Sequence, residues 1–178
     1  FTEQQLLKYA FDLSSALAAA HRKSLYHTNI KEENIFIASD TGQLKLGDFD
    51  ALLEGGRRTG PKQQIFCPPE LQGVGLNGNF EIDWGKVDCY ALGMLLLKIA
   101  LLRETITSEE KNDLQGIIGK VCKHYSKKIE VIIKRLTASD PGERWSAERL
   151  FKSLQEDYML HNLNDLEFDD LLSEDQKE

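Results

Sequence analysis

Apolar residues recur at helical spacing near the start of the chain, at Leu6, Leu7, Ala10, Phe11, Leu13, Leu17 and Ala20, and predict a helix over 3–22. Ala18-Ala19-Ala20 adds intrinsic propensity, and Thr2 sits where an N-cap belongs. The pattern over 85–102 is different. Tyr90, Leu92, Met94, Leu95, Leu96, Leu97, Ile99, Ala100 and Leu101 cover nearly the whole circumference, so this helix belongs in the middle of a domain. Three more helices are predicted at about 108–123, 127–137 and 146–159, with Asp140-Pro141-Gly142 breaking the chain before the last and Ser146 placed to cap it. Two short strands, Ile35-Phe36-Ile37 and Leu44-Lys45-Leu46, flank Asp40-Thr41-Gly42-Gln43, a tight hairpin connection with a glycine free to take a positive φ. Residues 51–83 are rich in Gly, Pro, Arg and Gln and read as two successive loops.

The chain has 178 residues, 41% hydrophobic and 29% charged, the balance of one globular domain with a full core. It begins at Phe1, which reads as a piece of a longer protein, and no signal-peptide pattern opens it. No apolar run reaches the length of a membrane span, so no membrane partner is expected. Net charge is −7, but 161–178 holds seven carboxylates and one lysine, or −6, which leaves the other 160 residues at −1. A body so close to neutral offers no basic face for nucleic acid. Leu163, Leu166, Phe168, Leu171 and Leu172 lie among those acidic residues, a mixture that either orders on a partner or folds back on its own domain. Cys67, Cys89 and Cys122 form no C-x-x-C pair and read as reduced thiols of a cytoplasmic or nuclear protein. Cys122 and His124 would be only half a zinc site. Gly73-Val74-Gly75-Leu76-Asn77-Gly78 matches a phosphate-binding glycine pattern, but Pro68-Pro69-Glu70 precedes it where a strand should be, so it reads as a surface insertion.

The most informative segment is His27-Thr28-Asn29-Ile30-Lys31-Glu32-Glu33-Asn34, followed by Asp48-Phe49-Asp50. It resembles the H-R-D-x-K-x-x-N catalytic loop and D-F-G turn of eukaryotic-type protein kinases. Phe66-Cys67-Pro68-Pro69-Glu70 resembles the A-P-E that ends an activation segment. Val87-Asp88-Cys89-Tyr90-Ala91-Leu92-Gly93 is similar to the start of the family's buried central helix, and Asp140-Pro141-Gly142-Glu143-Arg144 to its late D-P-x-x-R. The blocks stand in family order over 1–158, with 159–178 as an acidic extension. The resemblance implies a mainly α fold, the helical C-terminal lobe of a kinase, with a small β-hairpin carrying the catalytic-loop and metal-turn segments. It also implies fold-keeping contacts. Glu70 should pair with Arg144, Asp88 should accept from the backbone near His27, and His27 should stack on Phe49. Ile35, Ile37, Leu95 and Ile99 should form the column that meets an adenine ring.

The departures from the pattern bear on chemistry. Asn29 occupies the position of the family's general base, and an amide cannot take up a proton at neutral pH. Losing such a base typically costs about 10²–10⁴ in rate. Lys31 stands where the family's lysine would touch a γ-phosphate, whereas Gln63 replaces the threonine that bridges this lysine and the base. Asn34 and Asp48 keep the two metal-binding positions; they either hold a divalent ion or simply brace the loop. Thr28 replaces the arginine that binds a phosphorylated activation loop, and Thr59 is the only phosphorylatable residue of 51–66. Asp50 replaces the turn glycine and could act as ligand, repulsive charge or stiffener. The family's glycine-rich loop, β3 lysine and its glutamate partner belong to an N-terminal lobe not contained in these residues, so ATP and Mg are implied only together with that lobe. The resulting expectation is a pseudokinase that scaffolds or regulates a protein partner, or an attached domain. The alternative is a weakly active, unconventional serine/threonine kinase.

Overall fold

The computed structural model describes residues 1–49, 66–72, 82–102, 106–121 and 123–157. The glycine pattern of 73–78, Asp50, Thr59, Gln63, Cys122 and the acidic extension lie outside the described residues. Helix α1 spans Glu3–His21 and opens on a capping box. The Thr2 hydroxyl accepts from Gln5 N–H, and the Gln5 side chain accepts from Thr2 N–H. A 3-10 turn at Glu32–Asn34 then leads into the antiparallel pair β1 (Ile35–Ile37) and β2 (Leu44–Leu46), in register Ile35↔Leu46 and Ile37↔Leu44. Gly42 takes φ +63° in the connection between them, the left-handed conformation that the turn sequence predicts. Asp12 of α1 pins the hairpin by accepting from Leu44 N–H at 2.9 Å and from Lys8 Nζ at 2.7 Å.

Helix α2 spans Trp84–Leu101 and carries twelve buried residues from Val87 to Lys98, so the all-round apolar reading holds. Asp83 caps it, and Leu102 closes it in the left-handed region. It packs against α1, α4 (Leu114–Val121) and α5 (Lys127–Leu136). The contact with α5 is close at Gly93. A Cβ there would meet Leu136 Cβ at 2.7 Å and Thr137 Cγ2 at 2.8 Å.

The helix expected over 108–123 is two helices, α3 (Ser108–Asn112) and α4, broken at Asp113. Asp113 leaves helical geometry at φ −118°, ψ 50°, and its carboxylate accepts from Gly116 N–H at 3.1 Å. A short polar side chain thus competes with the helical ladder and caps the following helix instead. The last helix, α6, runs over 147–157 and is capped by the Ser146 hydroxyl, which accepts from Arg149 N–H. The described residues are mainly α with one small two-stranded antiparallel sheet, as the resemblance implies. No helix among the described residues is long and apolar enough to cross a membrane.

Candidate functional site

The loop between α1 and the 3-10 turn is organised by a carboxylate on the central helix. Asp88 is fully buried, and its two oxygens meet three donors. Oδ2 accepts from His27 N–H at 2.8 Å and lies 2.9 Å from His21 Nε2; Oδ1 accepts from Thr28 N–H at 2.6 Å. A buried carboxylate is tolerated when its lone pairs are met in this way. These bonds hold Thr28 at φ +58°, a conformation that β-branched residues rarely adopt. The Thr28 hydroxyl is buried with no hydrogen-bond partner among the described residues.

His27 ties the loop to the turn beyond the hairpin. Its Nε2 lies 2.7 Å from Gly47 O, while its Nδ1 accepts from Asn29 N–H at 3.3 Å. A carbonyl can only accept, so the Nε2–H tautomer satisfies both ring nitrogens. The ring meets Phe49 edge-on, with centroids 4.7 Å apart at 62°. Gly47 N–H also donates to Asn34 O at 2.9 Å.

The residues with possible chemistry gather on this frame. Asn29 is buried, and its Nδ2 donates to Asp48 Oδ2 over a long 3.4 Å. Asn34 is buried as well, and its Nδ2 donates to Asn29 O at 2.8 Å. That bond is the bracing role. It uses only the amide nitrogen, so Asn34 Oδ1 remains as an acceptor. Asp48 is exposed and takes φ +60°, which an aspartate tolerates. Lys31 is half-exposed.

Several contributors are not evident from the motif pattern. Lys98 is nearly buried on α2, paired with Glu32 of the loop, with its Nζ 5.4 Å from the centre of the Phe66 ring. A lysine in an otherwise apolar run was the available signal, because a buried ammonium needs a partner. His21, whose ring joins the two backbone donors on Asp88, carried no comparable signal. Lys111 Nζ donates to Cys67 O at 2.6 Å and fixes the segment before Glu70. Burial pushes the Cys67 thiol up, and the nearby Lys111 ammonium pulls it only part of the way back. That shift disfavours the thiolate, the reactive form of a cysteine, at neutral pH. Burial likewise lowers the Lys111 ammonium.

The residues expected to meet an adenine ring are divided. Leu95 is buried, while Ile35 and Ile99 are half-buried against the core. Ile37, at the end of β1, is 66% exposed, and Phe36 beside it is 58% exposed. The Phe36 ring lies over Gly47, where a Cβ would come within 2.6 Å of it. Phe36 and Ile37 are thus exposed on opposite faces of β1, while Ile35, on the same face as Ile37, is half-buried.

Asn34 Oδ1 and the Asp48 carboxylate are hard oxygen donors of the kind Mg²⁺ takes, and a nucleotide's phosphates would supply the rest of its shell. No cluster of three or more His, Cys, Asp or Glu able to hold a metal occurs among the described residues.

Residues 1–158 match the protein kinase domain family. Aurora/IPL1-related protein kinase 2 of Caenorhabditis briggsae is 30% identical over 160 residues, covering 84% of this chain and 50% of that protein. Aurora kinase of Dictyostelium discoideum is 28% identical over 154 residues, 81% of this chain and 38% of its own length. Serine/threonine-protein kinase Nek5 of Mus musculus is 25% identical over 163 residues, 85% of this chain and 25% of its own length. The chain spans half or less of the length of these relatives.

Proposed function

This chain belongs to the protein kinase family, and we propose that within it the chain is a catalytically impaired member, a pseudokinase that works by binding a protein partner. The observation that carries the reading is the contact of Asn29 Nδ2 with Asp48 Oδ2 at 3.4 Å. A carboxylate at position 29 would take the proton of an acceptor hydroxyl, and would repel Asp48 unless a cation lay between them. The amide does neither: it closes loop onto turn by a hydrogen bond and holds no proton-accepting charge. The fold-keeping contacts around it are present, through Asp88, His27–Phe49 and Glu70–Arg144. Retention of frame without base supports a folded binding module. No nucleic acid or membrane is part of this reading, and its place is the cytoplasm or nucleus.

Asn34 and Asp48 favour a second reading, slow ATP-dependent transfer to serine or threonine. Here they would hold Mg²⁺ on the phosphates, Lys31 would meet the γ-phosphate, and Ile35 and Ile37 would lie under the base. The bound metal would neutralise charge on the phosphates; the chain's own part would be to position them. The names of matched relatives, such as serine/threonine-protein kinase Nek5, agree with that acceptor class.

A thermal shift of the complete natural polypeptide with ATP and Mg²⁺ or Mn²⁺, followed by a transfer assay, separates the two. Impairment predicts no shift, or a shift without phosphate transfer. Transfer at about 1–100 s⁻¹, the ordinary range of kinases, that is abolished by Asp48→Ala would establish the enzyme.

A further inference from the structure

We propose that Lys98 is a positioning residue: it sets the loop that carries Asn29, Lys31 and Asn34 against the segment that opens at Phe66, and it adds placement rather than net stability. The central helix is an unfavourable setting for a lysine. Leu95, Leu96 and Leu97 before it are buried, and Lys98 itself is only 6% exposed. A charge so placed needs a partner, and Lys98 meets one in each segment. Its ammonium pairs with the Glu32 carboxylate of the loop, and the same Nζ lies 5.4 Å from the centre of the Phe66 ring, within cation–π range. Phe66 is 2% exposed, so the ring contact is dry, whereas the Glu32 side chain is 49% exposed.

Asp88 secures His27 and Thr28, but the 3-10 turn Glu32–Asn34 lies beyond its reach. That turn opens at Lys31 with no side-chain cap, and a turn of this length holds little by itself. Glu32 is its first residue, so the pair with Lys98 anchors the turn to α2. Asn34 N–H donates to Lys31 O at 3.1 Å, and the Asn34 amide donates to Asn29 O at 2.8 Å, so the anchor is passed on to Asn29, Lys31 and Asn34 alike. On the other side, Lys111 and Arg144 hold Cys67 and Glu70, while Lys98 reaches Phe66 from α2. Replacing a buried ion pair by apolar side chains of similar volume is often neutral or stabilising, so placement and stability can be separated here. The inference does not depend on whether Asn29 has silenced the loop, since binding and transfer both need these segments in place.

Hydrogen exchange on the complete natural polypeptide, read beside urea denaturation, tests the proposal. Lys98→Met keeps an unbranched stem and suits the apolar helix. Its urea midpoint should equal or exceed the parent's, while amides of 31–34 and 66–67 exchange about tenfold faster and those of α5 stay unchanged. Glu32→Gln alters the exposed end alone. The ammonium, left without its counter-charge, should turn toward water and leave the ring, so exchange at 66–67 should quicken at a distance from the substitution. The midpoint of Glu32→Gln should fall. Lys98→Met combined with Glu32→Gln should recover it and exchange no faster than Lys98→Met alone. A lower midpoint in Lys98→Met with uniformly faster exchange would make Lys98 an ordinary part of the core and overturn the proposal. So would unchanged exchange at 66–67 in Glu32→Gln, or additive effects in the double variant.

Discussion

Arg144 and Glu70 lie 74 positions apart and meet in a two-point ion pair, with Nη1 2.7 Å from Oε1 and Nη2 3.0 Å from Oε2. The two ends are not equivalent. Arg144 is fully buried, with its other donors on Ala138 O and Lys86 O and its plane 5.0 Å from the Tyr90 ring, whereas Glu70 is 23% exposed. Arg144→Ala is therefore expected to destabilise the domain by about 3–5 kcal/mol in urea denaturation. Arg144→Lys should recover less than half of that, because an ammonium cannot reproduce the planar fork. Equal stability of the lysine variant and the parent would show that charge alone suffices.

Asp88→Asn keeps the size of the side chain but turns one acceptor into a donor. It would face His27 N–H or Thr28 N–H, each now within 2.8 Å. The expected cost is about 1–3 kcal/mol for the buried mismatch. Amide exchange at 27–29 should accelerate more than exchange within α5, because Thr28 loses what holds it in the left-handed region. Uniform acceleration would point to global loosening instead.

Gly93→Ala tests the approach of α2 to α5. The added methyl must displace Leu136 and Thr137, one of whose contacts is backbone at 3.2 Å. The expected loss is about 1–3 kcal/mol by overpacking, against the usual gain from replacing a helical glycine. A neutral or stabilising result would mean that the two helices can separate freely.

Alkaline pH should weaken the fold through α2. Burial pushes the Cys89 thiol from 9.0 to about 12 and the Tyr90 hydroxyl from 10.0 to about 12. Both folded-state values are raised, so the unfolded chain ionises first. The stability they contribute is complete below pH 9 and is lost as pH rises toward 12. Each group contributes a slope of about 1.4 kcal/mol per pH unit within its window. Urea midpoints at pH 8 and pH 10 should show the fall, and Cys89→Ala should shrink it by removing the earlier of the two groups. An unchanged pH dependence in that variant would assign the effect elsewhere.

How much of this was legible in the sequence depended on whether one local rule decided the outcome. Asp40-Thr41-Gly42-Gln43 forms its turn because Gly42 alone there takes positive φ without cost, and that chemistry is written in the residue. Helix α2 was legible because no other arrangement buries an all-round apolar surface. The break at Asp113 was hidden, since apolar periodicity continues across it and the capping bond to Gly116 is a side-chain event. In the site, Asp88 and Arg144 could be placed only through the resemblance, because their partners are 60 and 74 positions away. The resemblance put Ile35 and Ile37 in one column, but it could not tell that the core leaves Ile37 uncovered at the end of the strand. Lys98 could have been found from its apolar surroundings alone, though its partner Glu32 could not.

The central claim is that an amide at position 29 limits phosphoryl transfer in an otherwise preserved frame. The most direct test is the single-turnover rate of transfer from ATP to a protein acceptor, measured for the complete natural polypeptide and for its Asn29→Asp variant. Restoring a carboxylate should raise the rate by about 10²–10⁴. It should also make the thermal stability depend on Mg²⁺, since the new carboxylate and that of Asp48 would then need a cation between them. An unaltered protein that already transfers at about 1–100 s⁻¹, with no gain in the variant, would contradict the account.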